Sequence, residues 1–264
     1  MAIKLIALDL DGTLLTSDKK ITTRTKDIIA RAMARGVTVT IATGRMLRSA
    51  LYFTRLLASD APVVCCNGGY VGRAEGAPVF ARYFDPALTR EFLTFAYERN
   101  WYVNWYRGLD IYAPEYRAEY FTAYRTTAGF MVHEVGDDYL RYTENVPQFV
   151  LRELDAGIDA YVRTVREHFG DQLLPQQNTG TSVDINPPGV NKAVGVKALA
   201  DAMGLGLDEV MVAGDADNDY EMLEMGAFSV VPENGLPGAK ERASYVTASN
   251  DANGIALAIE KFVL

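Results

Sequence analysis

The sequence predicts an α/β protein, a doubly wound parallel sheet core with a second α/β domain inserted into it. Three observations point that way. Short apolar runs alternate with stretches of helical periodicity near the N-terminus, the same alternation returns near the C-terminus, and the segment between them differs from both in composition. Continuously apolar strands are buried on both faces, and strands separated by helices pair in parallel.

The run Ile3–Leu8 is the first strand. Thr23–Arg35 places Ile28, Ile29, Ala32 and Met33 at helical spacing and stops at Gly36. Val37–Ala42 reads as a second buried strand, Arg45–Leu57 as a helix and Pro62–Cys66 as a third strand. After the middle segment, Lys192–Met203 is a helix, Glu209–Ala213 a strand, Asp217–Met225 a short helix and Phe228–Val231 a strand. Tyr245–Thr247 makes a last short strand and Ile255–Phe262 a final helix. Residues 1–81 and 188–264 are therefore expected to form one Rossmann-like core.

Residues 82–187 hold 20 of the 28 aromatic residues and none of the eight lysines. Ten arginines against sixteen acidic residues give this segment -6 of the chain's charge of -8. Such a break marks an inserted α/β cap with its own core. Asp85-Pro86 looks like an N-cap followed by proline at the first helical position, opening a helix to about Asn100. Trp101–Tyr106 then sets Trp101, Val103 and Trp105 against Tyr102, Asn104 and Tyr106, which is strand period. Asp155–Phe169 reads as a helix, Ser182–Asn186 as a returning strand, and Pro187-Pro188-Gly189 as a hinge.

Composition narrows the function. With 49% hydrophobic and 23% charged residues, the chain of 264 residues has ordinary globular composition. No apolar run approaches the ~20 residues that span a bilayer. Lys4, Asp9 and Asp11 interrupt the stretch a signal peptide would need, so a cytoplasmic protein with no membrane partner is expected. An acidic chain without a basic stripe is not expected to bind nucleic acid. Cys65 and Cys66 are adjacent and within an apolar run, which suggests reduced, buried thiols. His133 and His168 have no ligand partners at useful spacing, which argues against a zinc site and a Ser-His-Asp triad.

Four short motifs carry chemistry. The first strand ends in Asp9-Leu10-Asp11-Gly12-Thr13, and ligands of open α/β sheets bind at the carboxyl ends of strands. Asp-Gly alone is also a common turn signal. Gly214-Asp215-Ala216-Asp217-Asn218-Asp219 follows a later strand. It begins like a calcium loop, but Tyr220 and Gly226 stand where glycine and glutamate are required, so paired carboxylate clusters suggest Mg²⁺ instead. Thr43-Gly44-Arg45 can hold a phosphate oxygen at a helix start, or simply cap the helix. Lys192 opens a helix against the macrodipole, which asks for an anion in front of it unless the side chain is merely solvated.

Together these motifs, with Cys66-Asn67-Gly68-Gly69 and Ile185–Leu199, resemble the haloacid dehalogenase-like superfamily of Mg²⁺-dependent phosphohydrolases. The resemblance covers the whole chain and is closest to the Cof-type branch, which carries a large α/β cap after the third core strand. It implies Asp9 as nucleophile, forming an aspartyl-phosphate, and Asp11 as acid and then base. It implies that Thr43 hydrogen-bonds the phosphoryl group and that Lys192 neutralises it. Mg²⁺ would be held by Asp9, the backbone carbonyl of Asp11, and Asp215, with Asp219 supporting it directly or through water. Gly44, Arg45, Asn67 and Asn218 are implied to bind substrate. Ala193 departs from the branch, which usually has glycine there, without removing a chemical group.

The expected function is a Mg²⁺-dependent phosphatase of small phosphorylated metabolites, with sugar or polyol phosphates as the expected substrates, acting as a monomer or weak homo-oligomer. A phosphomutase of the same superfamily and a non-catalytic phosphate-binding module are the alternatives. Near the hinge, polar Asn178, Thr179, Thr181, Ser182 and Asp184 are candidates to hydrogen-bond substrate hydroxyls, or are surface loop residues.

Overall fold

The computed structural model describes residues 2–124, 131–153, 157–179 and 181–264. The chain opens with β1 (Leu5–Leu8), α1 (Thr23–Ala34), β2 (Thr38–Ile41), α2 (Leu47–Leu56) and β3 (Val63–Cys65). β4 (Tyr70–Gly72) and β5 (Phe80–Ala81) follow, then α3 (Pro86–Glu98), β6 (Tyr102–Arg107), β7 (Asp110–Ala113), β8 (Val132–Glu134) and β9 (Phe149–Arg152). α4 (Ile158–Phe169), β10 (Leu174–Thr179) and β11 (Ser182–Asn186) lead to α5 (Lys192–Ala202) and β12 (Val210–Ala213). The chain ends with α6 (Tyr220–Glu224), β13 (Phe228–Pro232), α7 (Pro237–Glu241), β14 (Tyr245–Thr247) and α8 (Gly254–Phe262).

Five strands form the parallel sheet expected from the apolar runs, in the order β14-β13-β12-β1-β2. The chain leaves β1 toward β2 on one side, whereas β12, β13 and β14 are laid down on the other. The strand order thus reverses at β1, and the carboxyl ends of β1 and β12 flank the crevice where open α/β sheets bind ligands. The cores of β1 and β12 are fully buried, so the loops that follow them start from fixed positions.

β3 departs from the simple picture. It touches the parallel sheet through a single bridge, Ala42 with Val64, and otherwise pairs antiparallel with β4 and β5 in a small sheet of its own. The hairpin at 70–81 is too short for period-two alternation to reveal it. Its effect is to turn the chain sharply after Cys65, and Cys66 and Asn67 both take positive φ there. The backbone N–H groups of Cys66 and Asn67 donate to the carbonyls of Arg45 and Thr43 at 3.0 and 3.1 Å, which straps this loop to the end of β2. Both cysteines are buried and free.

The second large sheet has the order β10-β11-β9-β6-β7-β8 and is antiparallel except at β7 and β8. The alternation along Trp101–Tyr106 sets its two faces. Val103 and Trp105 join Phe92, Phe149 and Phe169 in a core under α3 and α4. Tyr102 and Tyr106 cluster on the other side with Met46, Leu47 and Ala50 of the α2 region. Asp85 caps α3 as expected, accepting from the Ala87 amide at 2.7 Å, with Pro86 at the first position. Residues 155 and 156 of the expected helix lie outside the described residues; α4 begins at Ile158.

The turn at Gly68 is a tight constraint. Its φ is +89°, and a Cβ there would come within 2.0 Å of the Asn191 carbonyl oxygen. Gly36 has a similar φ of +85° but open space around it. Both positions carry the backbone cost of a left-handed residue, but only one adds a clash with the cap of α5. Gly68→Ala is expected to lose about 2 kcal/mol more stability than Gly36→Ala in urea denaturation. Equal losses would show that the loop yields freely.

Candidate active site

Asp9 continues β1 by one residue, its backbone N–H donating to the Ala213 carbonyl at 2.9 Å. Its carboxylate is almost wholly buried. Asn191 caps α5 by accepting from the Val194 amide at 3.0 Å, which puts Lys192 at the first helical position. The Lys192 ammonium, 1% exposed, donates to Asp9 Oδ1 and to Asp219 Oδ1, each at 2.7 Å. These two carboxylates are the anions that offset a cation at a helix start. Burial acts against the ammonium, but Asp219 and Asp9 outweigh it and raise the Lys192 pKa above the ordinary lysine value.

Asp219 does more than face Lys192. Its Oδ2 accepts from the backbone N–H groups of Asp215 and Ala216 at 2.9 and 3.1 Å. The loop after β12 is therefore wound around this carboxylate, and a Cβ on Gly214 would come within 2.3 Å of its Cγ. Asp215 is fixed from the other side by the Thr13 hydroxyl, which donates to its Oδ1 at 2.6 Å. Asp9, Asp215 and Asp219 each offer a carboxylate oxygen, all within 4.8 Å of one another. Burial pushes the Asp9 carboxyl well above its usual range, with Asp219 and Asp215 adding to the rise and Lys192 opposing it. Burial and the neighbouring Asp219 also raise Asp215 to about 6, against the pull of Thr13 and Lys192.

This donor set fits a divalent cation. Three buried or half-buried carboxylates face one ammonium, and two of them are held up by burial, with neighbouring carboxylates adding to the rise. All the donors are oxygen, the chemistry of a hard ion such as Mg²⁺. Asp11's side chain stands outside this group; its expected share in the metal site was through the backbone carbonyl.

Asp11 is turned toward Arg45. The guanidinium donates Nε to Oδ2 and Nη2 to Oδ1, both at 2.8 Å, and Lys19 Nζ donates to Oδ1 at 2.8 Å. Burial would raise this carboxyl, but Arg45 and Lys19 together hold it down at about 2. Arg45, expected to bind substrate, thus has its fork on Asp11 and its guanidinium 5.2 Å from the Phe53 ring.

Thr43 is buried at the end of β2, its hydroxyl accepting from the Arg45 amide at 3.2 Å. Gly44 leaves room for its neighbours, since a Cβ there would lie 2.8 Å from Asn67 Oδ1 and 3.2 Å from Asp184 Oδ2. Asn67 is a hub: its Nδ2 donates to Asp184 Oδ2 at 3.0 Å and to Asn186 Oδ1 at 3.3 Å, and its Oδ1 accepts from Asn218 Nδ2 at 3.3 Å. Most of the expected residues gather near the carboxyl ends of β1, β2 and β12, in two groups, with Asp11 paired to Arg45 beside them. Asp9, Lys192, Asp215 and Asp219 form one, and Gly44, Asn67, Asn218 and Asp184 the other. Thr13, Lys19 and Asn186 complete the site without having been singled out. Thr13 directly follows the Asp-Gly pair, whereas nothing in the sequence ties Lys19 to Asp11. The side chains of Asn178 and Thr179 lie outside the described residues.

Comparison with known proteins identifies the family. The model of the haloacid dehalogenase-like hydrolase family matches residues 6–259. A protein of Streptococcus pyogenes serotype M6, provisionally named a phosphatase, is 33% identical over 281 residues, covering 100% of both chains. The 5-amino-6-(5-phospho-D-ribitylamino)uracil phosphatase of Escherichia coli K12 is 30% identical over 275 residues, covering 99% of this chain and 96% of its own. The crystal structure of a haloacid dehalogenase-like hydrolase from Bacteroides thetaiotaomicron superposes with a TM-score of 0.89 at 23% identity, covering 98% of this chain and 99% of that one. The chain belongs to the haloacid dehalogenase-like hydrolases, and its relatives in that family support a phosphatase.

The raised Asp215 carboxyl gives a stability prediction. A group raised from 3.8 to about 6 by folding stabilises the protein most below its unfolded value, and that contribution is lost as pH rises through about 6. A cation that binds the ionised cluster offsets the loss. The rise in Tm produced by Mg²⁺ is therefore expected to be larger at about pH 7.5 than at about pH 5. Equal increments at both pH values would contradict the assignment of this cluster as the cation site.

Proposed function

We propose that this hydrolase is a cytoplasmic, Mg²⁺-dependent phosphatase of small phosphorylated metabolites, with sugar or polyol phosphates as substrates and Asp9 as nucleophile. The observation that carries the reading is the buried Lys192 shared between Asp9 and Asp219, beside Asp215, at the strand-order reversal. Phosphoryl transfer needs in-line positioning and neutralised charge more than covalent work. Lys192 binds one oxygen of Asp9, Oδ1, which fixes the carboxylate and leaves Oδ2 to attack phosphorus. Ionised acceptors buried this way are nucleophilic only where a neighbouring cation holds them charged. Asp9, Asp215 and Asp219 would hold a divalent cation, which would supply charge neutralisation for the phosphoryl oxygens.

Asp11 is the acid and base of this scheme. Held by Arg45 and Lys19 it is ionised at neutral pH, the state that accepts a proton from attacking water. Protonating the leaving alcohol requires the carboxyl to part from Arg45 first, because a group held at about 2 gives up its proton too readily to keep one at pH 7. Thr43 and Gly44 lie at the start of the α2 segment, where a phosphate oxygen meets a hydroxyl and backbone N–H groups. Residues 82–187 act as a cap that closes over the site on hinges near Ala81 and Pro188, excluding competing water. The E. coli relative's name describes a phosphorylated ribityl chain, which supports a hydroxyl-bearing leaving group. The chain has no helix long and apolar enough to cross a membrane among its described residues, which is compatible with a cytoplasmic site of action.

Asp9→Asn is expected to remove turnover while leaving the circular dichroism spectrum and Tm cooperative. An amide is nearly isosteric and cannot attack phosphorus. A variant that retains a tenth of the wild-type kcat would show that Asp9 is not the nucleophile. In the wild type, excess EDTA is expected to abolish hydrolysis, Mg²⁺ to restore it, and Ca²⁺ to inhibit, since calcium takes more oxygen ligands at longer distances. Full activity in EDTA would remove the metal from the scheme.

A further inference from the structure

The cap sheet has a face that its own core does not use. Val103 and Trp105 of β6, Phe149 and Leu151 of β9, and Val183 and Ile185 of β11 all point into the aromatic core under α3 and α4. Alternation along each strand turns Asn104, Gln148 and Asp184 to the opposite side. The register agrees: Asn104 pairs with Val150, Val150 pairs with Asp184, and the Tyr106 amide donates to the Gln148 carbonyl at 3.1 Å.

That face is turned to the catalytic loops. Asp184 and Asn186 both accept from Asn67 of the core, and a Cβ on Gly44 would lie 3.2 Å from Asp184 Oδ2. At the turn between β6 and β7, Arg48 of α2 donates to the Leu109 carbonyl at 3.1 Å and to Asp110 at 2.6 Å. The sheet is thus anchored to the core both at the Asn67 loop and at α2, and Asn104 and Gln148 belong to the face that carries the Asn67 contacts.

Two of these side chains have polar groups with nothing to bond. Asn104 and Gln148 are both fully buried. Asn104 Oδ1 accepts from Arg152 Nε at 2.9 Å, but its Nδ2 has no partner among the described residues. Neither Nε2 nor Oε1 of Gln148 has one. Buried amides without partners are costly and rare in folded proteins. Packing alone would favour methionine or leucine at such positions. A ligand that supplies the missing partners accounts for both residues at once.

We propose that Asn104 and Gln148 are specificity residues that hydrogen-bond hydroxyl groups of the leaving group, and that the substrates are polyhydroxylated phosphate monoesters. This rests on the phosphatase reading above. The unpaired groups are the amide donors of Asn104 and Gln148 and the amide acceptor of Gln148, and a hydroxyl both donates and accepts. An apolar leaving group would leave the amides unpaired.

The test compares kcat/KM for hydroxylated phosphates with that for their deoxy counterparts, such as ribose 5-phosphate against 2-deoxyribose 5-phosphate and glucose 6-phosphate against 2-deoxyglucose 6-phosphate. The wild type is expected to prefer at least one hydroxylated member by about tenfold or more, because a site built to bond a hydroxyl rejects the analogue lacking it. Gln148→Met, of similar length, is expected to collapse that ratio toward one while Tm stays level or rises, since an unpaired buried amide has been removed. Asn104→Leu is the second variant, with the same expectation for the hydroxyl it reads. A Gln148→Met or Asn104→Leu chain that folds and keeps the wild-type ratio overturns the assignment of that residue. A wild type that hydrolyses para-nitrophenyl phosphate but shows no hydroxyl preference overturns the inference and leaves the phosphatase reading standing. A wild type that hydrolyses no phosphate monoester overturns both.

Discussion

A lysine ammonium with 1% exposure sits between two buried carboxylates, and the architecture of the site follows from keeping it there. Taking such charges out of water costs several kcal/mol per ion, which only close, well-bonded partners offset. Removing one partner of a buried pair of this kind costs about 3–5 kcal/mol, because it leaves the other charge uncompensated. Each member therefore needs a fixed origin. Asp9 comes from the fully buried β1, Lys192 from the capped first turn of α5, and Asp219 from a loop wound on its own carboxylate. Three distant stretches of chain are held in register by one ammonium. Beside it, Asp9, Asp215 and Asp219 bring three carboxylate oxygens within 4.8 Å of one another, a donor set that could hold a cation.

The second group of residues depends on the first through the backbone. Gly68 lets the loop after β3 pass close to Asn191, the cap of α5, so the position of Lys192 and the position of Asn67 are set together. Asn67 in turn reaches Asp184 and Asn186 on β11. The second large sheet is thereby referenced to the same loop that borders Thr43 and Gly44. Asp11 is handled differently. Its partners, Arg45 and Lys19, lie toward solvent from the buried cluster, which separates a strongly acidic, ionised carboxylate from two neighbours held up by burial. Carboxyl groups placed a few residues apart along one loop can take different chemical tasks when their surroundings differ in this way.

Much of the core is legible in the sequence, because a parallel strand buried on both faces leaves an unbroken apolar run. Leu5–Leu8, Thr38–Ile41 and Val210–Ala213 all lie inside the runs that mark them. The motifs at their ends are legible for the same reason: once a strand's end is placed, so is the side chain that follows it. β10 was not readable, since Leu174–Thr179 carries a proline and three amide side chains and looks like a loop. Nor was the hairpin after β3, whose strands of three and two residues are shorter than any periodicity. Within the site, the presence of Arg45 near the phosphate loop is a local fact, but its pairing with Asp11 is set by rotamers across 34 positions of sequence. The amides of Asn104 and Gln148 are still less accessible to sequence reasoning. Their significance lies in bonds they do not make, which only the packed structure reveals.

The account stands or falls on Asp9 as the group that receives phosphorus. The direct measurement is to quench the wild-type chain during turnover of a phosphate monoester with Mg²⁺ present, reduce it with borohydride, and map the peptides by mass spectrometry. An acyl phosphate on Asp9 predicts conversion of that residue to homoserine, dependent on substrate and lost in the Asp9→Asn variant. Substrate-dependent reduction at another carboxylate, or none at Asp9 when turnover is fast and the intermediate is shown to accumulate, would contradict it.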